Sequence, residues 1–92
     1  MLLITGRARP IQGAREQMIA AIREITAATQ SDPGCLNYTF AASLDDDTII
    51  SVELWQDRAA LEAHMGHEHT RRFLGSLDGL LDGTPVMQET DL

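Results

Sequence analysis

From end to end, the apolar residues of this chain follow the order strand, helix, strand, strand, helix, strand. A change of apolar period from two to about 3.6 residues separates one element type from the next. Leu2 to Ala8 is a short apolar run closed by Pro10 and Gly13. From there Ala14, Met18, Ala21, Ile22, Ile25 and Ala28 recur at helical spacing, with Arg15, Glu16, Arg23 and Glu24 between them. This predicts an amphipathic helix ending near Ser31, because Asp32 precedes Pro33 and is pushed out of the helical region. Gly34 completes a turn. Cys35 to Ser43 alternates, with Leu36, Tyr38 and Phe40 on one face and Cys35, Asn37 and Thr39 on the other. Asp45, Asp46 and Asp47 form a polar loop. Thr48 to Trp55, rich in β-branched residues, completes a hairpin. Asp57 suits a helix N-cap, and a helix runs from it to about Met65. Gly66 and the stretch His67-Glu68-His69 break or bend it, and Thr70 to Leu80 is helical again. Gly83 and Pro85 stop that helix, and Pro85 to Thr90 is a last short strand.

This order predicts an α+β fold, the ferredoxin-like β-α-β-β-α-β pattern, as one domain over residues 1–92. An antiparallel four-stranded sheet carries the helices on one face. A chain of this mass buries roughly 64% of its surface on folding, enough for one thin core. Alternation in the third strand turns Ile50, Val52 and Leu54 to the face without helices. Such a face calls for a partner, and a second copy is the simplest one, giving a homodimer through sheet faces.

Charge narrows the function classes. Fourteen acids stand against seven arginines, for a net charge of -7 and no lysine. Phosphate neutralisation needs a basic footprint, and the pairs Arg7/Arg9 and Arg71/Arg72 do not make one, so nucleic acid is not an expected partner. No apolar run approaches membrane-spanning length, and the first residues do not read as a signal peptide, so a soluble cytoplasmic protein is expected. The single cysteine rules out an intrachain disulfide and a Cys-rich zinc site.

Two stretches carry a resemblance. Asp32 to Phe40, read DPGCLNYTF within residues 32–40, resembles the EPGCLxY segment of antibiotic biosynthesis monooxygenase (ABM) domains. Residues 52–73, VELWQDRAALEAHMGHEHTRRF, resemble that family's ExWxDxxALxxHxxxxH segment. Glu53, Trp55, Asp57, Ala60, Leu61, His64 and His69 stand at the pattern's positions, as do Pro33, Gly34 and Tyr38. The resemblance implies a dimeric α+β barrel in which two ferredoxin-like sheets pack face to face. It also implies a pocket between each sheet and its helices. Family members include cofactor-free monooxygenases of phenols, quinols and anthrones, with relatives that degrade haem or isomerise small molecules. The haem-degrading branch needs an axial histidine and an asparagine where this chain has Leu74 and Gly6. Neither haem nor any other cofactor is therefore expected.

The candidate site follows from spacing and from this resemblance. Ser51, Glu53 and Trp55 share one strand face. In the resembling enzymes the tryptophan lines the pocket, where it would give an aromatic substrate a flat wall; its plainer role is core packing. Glu53 is suited to hold or take up a proton, or to pair with an arginine such as Arg7. His64 follows Leu61 by three residues, on or beside the apolar stripe of its helix, and can act as a base or merely pack. His69 caps a pocket or bonds backbone. Of Asn37 and Tyr38, one faces the helices and the other the opposite side, and parity does not decide which. Phe73 or Phe40 would supply further aromatic wall. The three histidines span an element break, so no metal is expected. The expectation is a cofactor-independent monooxygenase of a small aromatic, with His64 and Glu53 catalytic and Trp55, Asn37, Tyr38, Ser51, His69 and Phe73 binding substrate. The alternative is an isomerase or ligand-binding module for a small carbonyl compound.

Overall fold

In the computed structural model, which describes all 92 residues, the first apolar run forms β1 (Leu2–Ala8), with Leu2, Ile4 and Gly6 on its buried side. α1 (Arg15–Thr29) follows and buries Met18, Ile22, Ile25 and Thr29 along one stripe. The helix ends at Thr29, short of Ser31. Tighter turns replace it, and the Asp32 N–H donates to the Thr29 carbonyl at 2.9 Å just ahead of Pro33. β2 (Cys35–Ala42) and β3 (Ile49–Trp55) form the expected hairpin. In its acidic loop the Thr48 N–H donates to Asp46 Oδ1 at 2.8 Å. Asp57 caps α2 (Arg58–Gly66), its Oδ1 accepting from the Ala60 N–H at 2.9 Å. α3 (Glu68–Ser76) and β4 (Val86–Asp91) complete the chain.

The sheet order is β2-β3-β1-β4, and every pairing is antiparallel. The fold is therefore α+β and ferredoxin-like. Its core lies between the helices and one sheet face. Leu2, Ile4, Ile25, Tyr38, Trp55 and Leu61 form the larger cluster, and Met18, Ile22 and Ile49 a second. Trp55 is 0% exposed. Each such side chain contributes about 1.5–3 kcal/mol by leaving water. The opposite face carries Leu3, Thr5, Ile50, Val52 and Leu54 and meets no helix; Val52 is 36% exposed.

The expected break makes the second helical region two helices, because His67 is extended (ψ 149°) between them. Two details differ from the sequence expectation. Regular helix ends at Ser76, and residues 77–80 are turns that include Gly79, whose φ is +78°. Last, β2 contains a bulge. Cys35 pairs with Trp55 and Asn37 with Leu54, which leaves Leu36 unpaired and 53% exposed. The extra residue reverses the phase. Cys35 packs on the core, while Leu36 does not share the inner face of Tyr38 and Phe40.

Candidate functional site

The inner face of β3 presents Ile49, Ser51 and Glu53 to a cavity of about 460 Å³. Ile4, Gly6, Tyr38 and Phe40 extend this floor, and Leu61, His64, Thr70, Phe73, Leu74 and Leu77 form the roof. Met87 and Glu89 of β4 close one side. Most of the lining is apolar, so the few polar groups stand out as the ones able to orient a ligand. The floor depends on Gly6. A Cβ there would lie 2.5 Å from Ser51 Oγ and 2.8 Å from Met87 Sδ.

Behind the cavity, Trp55 stacks at a tilt on His64, with ring centroids 4.6 Å apart. Its Nε1–H donates to Glu53 Oε1 at 3.0 Å. The indole does not line the cavity. Strand parity placed it on the right face, but the ring lies buried behind His64 and Glu53 and supports both. Glu53 thus meets Trp55 and not Arg7. Burial pushes its carboxyl above the usual range, although the Trp55 hydrogen bond and the charge of His64 pull the other way. Burial and the nearby Glu53 likewise push up the Tyr38 hydroxyl.

His64 is 2% exposed. Its Nδ1 lies 2.8 Å from Asp32 Oδ2, and the same oxygen lies 3.0 Å from His69 Nε2. Thr70 Oγ1 is 3.3 Å from His64 Nδ1. His67 stacks on His69, and its buried Nε2 lies 3.7 Å from Asp32 Oδ1 without a hydrogen bond. Burial alone would raise the Asp32 carboxyl. The hydrogen bonds from His64 and His69, with the charges of His69 and His67, outweigh it and hold the group below its usual range. The three histidines therefore converge, contrary to the reading that the element break scatters them. Donor atoms of Asp32, His64 and His69 all lie within 4.8 Å of one another. These are the residues that would hold an ion preferring imidazole and carboxylate. Both imidazole nitrogens are already bonded to the carboxylate, so an ion would have to replace two hydrogen bonds.

Of the expected site residues, the fold brings His64, Glu53, Ser51, Tyr38 and Phe73 to one cavity. His69 serves Asp32 outside it. Asn37 is corrected: it lies on the helix-free face, where its Nδ2 donates to the Val52 carbonyl at 3.0 Å and its Oδ1 accepts from Thr39. Tyr38 takes the inner side. Asp32 was missed. The sequence reading used it only to end a helix, although an acid opens this stretch where the family pattern also has an acid.

A ferredoxin-like sheet with an apolar cavity under its helices, and one acid–base cluster at the cavity wall, defines a class of small α+β catalytic and ligand-binding domains. Residues 1–75 match the antibiotic biosynthesis monooxygenase family, and the chain belongs to it. It is 26% identical over 78 residues to "Putative monooxygenase Rv0793" of Mycobacterium tuberculosis, covering 85% of this chain and 77% of that protein. It is also 26% identical over 81 residues to the uncharacterized protein sll1783 of Synechocystis; that match takes in 87% of this chain but only 55% of the longer relative. A crystal structure described as an antibiotic biosynthesis monooxygenase superposes with a TM-score of 0.93 at 25% identity, over 100% of this chain and 98% of the other.

Proposed function

We propose that this chain is a cofactor-independent monooxygenase that oxidises a small aromatic, a phenol, quinol or anthrone, in the cavity between sheet and helices. One observation carries the reading: a buried imidazole, tied at Nδ1 to a carboxylate, lines an apolar cavity and leaves Nε2 for a ligand. Triplet oxygen reacts slowly with closed-shell molecules, so the substrate must first become electron-rich. Removing a proton from the hydroxyl of a phenol or quinol, or from the ring methylene of an anthrone, does this. His64 takes that proton, and the carbanion or phenolate passes an electron to oxygen. For an anthrone, one oxygen atom then replaces the two hydrogens of the ring methylene and the other leaves as water. The apolar walls exclude water from the reacting ion.

Gly6 and Leu74 both line the cavity and offer no ligating atom, which supports chemistry without haem. The homodimer belongs to the same proposal. The isolated chain exposes 5753 Å², against roughly 5,300 Å² for a monomer of this mass, and its apolar sheet face has no cover.

The test is oxygen uptake with a panel of quinols and anthrones. The second reading, an isomerase of a small carbonyl compound, is favoured by Glu53 and His64 facing one cavity, since a proton shift needs an acid and a base. Isomerisation followed by NMR under nitrogen, with no oxygen uptake on the panel, would select it.

A further inference from the structure

Asp32 does more than end α1. It is 8% exposed, and one of its oxygens serves imidazoles from two helices, His64 of α2 and His69 of α3. It does not line the cavity and reaches it only through His64. We propose that Asp32 is the positioning residue of the site: it holds His64 in the Nδ1–H tautomer and so presents Nε2 to the cavity as the unprotonated nitrogen. The catalytic part of this inference rests on the reading of His64 as the base; the tautomer does not.

Three observations support it. A carboxylate only accepts hydrogen bonds, so a ring nitrogen 2.8 Å from it must carry the hydrogen. The position of Asp32 is set by backbone and not by the histidines alone. Its N–H donates to Thr29 O at 2.9 Å, and the Cys35 N–H donates to its carbonyl at 3.1 Å. Gly34 then seats the turn on α2, the helix that carries His64. Its φ is +79°, and a Cβ there would lie 2.5 Å from the Ala60 Cβ. The third observation is His69, which grips the same oxygen from α3 and so spans the break between the two helices. When Nε2 accepts a proton, the Asp32 anion balances the charge that appears on the ring. Glu53, on the other side of His64, is pushed toward its protonated form.

The variant Asp32→Asn keeps the size of the group but can donate to Nδ1, which drives the ring hydrogen to Nε2. Long-range ¹H–¹⁵N correlation spectra read the tautomer directly and need no substrate. In the wild type His64 should be protonated at Nδ1 and free at Nε2, and D32N should reverse the pattern. D32E, which keeps the anion, should restore it. On a turned-over substrate, D32N should lower kcat by on the order of 10²-fold or more, with KM little changed. A wild-type ring protonated at Nε2, or a folded D32N with the wild-type pattern, overturns the inference. If D32N does not fold, D32E decides, and its loss of the Nδ1–H tautomer is the overturning result. Correct tautomers with no turnover on either assay would instead sink the catalytic reading of His64.

Discussion

His64 and Glu53 lie on opposite sides of one question, which group moves a proton. His64→Ala should lower turnover by about 10²–10⁴-fold, the usual span for a lost acid–base group, and change KM less. Steady-state kinetics on protein checked for folding is the measurement. If His64 only packs, the variant will lose stability and keep its activity per folded molecule. Glu53 has a pH signature with a fixed sign. Its carboxyl is raised in the folded state, so the native protein binds more protons than the unfolded chain above the ordinary carboxyl value of 4.5. Stability then falls as pH rises from that value through the folded pKa. Glu53→Gln should flatten this slope in urea melts taken across that range. Asp32 has the opposite sign, being lowered from 3.8. Its contribution is present above that value and fades as acid drives the pH down through the lower folded pKa.

Most elements were legible because their periods were clean. β1 has the bounds expected of it, and the Asp57 cap forms as read. Asp57→Ala should cost about 1 kcal/mol, the usual value of a side-chain cap, measured by denaturant unfolding. The site was legible where one strand or one helix sufficed: parity put Ser51 and Glu53 together, and spacing put His64 on or beside the apolar stripe. It was illegible where two elements had to meet. No local pattern brings Asp32, in the turn after α1, to 2.8 Å from His64. That pairing depends on how closely the 32–34 turn sits on α2. Nor does alternation alone announce the Leu36 bulge, because an extra residue in a strand changes the phase without changing composition. The depth of Trp55 was hidden for a similar reason. Parity assigns a face, and only the α2 helix lying over that face decides whether the ring is wall or core. Gly34→Ala joins these points. The left-handed φ and the clash with Ala60 should cost about 1–3 kcal/mol and shift the Asp32 turn, so stability and turnover should fall together.

At the scale of the whole molecule, the fold leaves one sheet face apolar and uncovered. Val52 is central on it, pairing with Thr39 on one side and Thr5 on the other. Val52→Glu would bury an unpaired carboxylate between two sheets and should abolish the dimer. Sedimentation velocity at micromolar concentration should show a dimer for the wild type and none for the variant. A monomeric wild type would contradict the assembly. The account as a whole stands on one assay, oxygen uptake by chelator-treated protein given an anthrone or quinol. The expected result is uptake that matches substrate oxidised, survives removal of metal, and falls at least 10²-fold in His64→Ala. Uptake that disappears with the chelator, or that is unchanged in folded His64→Ala, would contradict it.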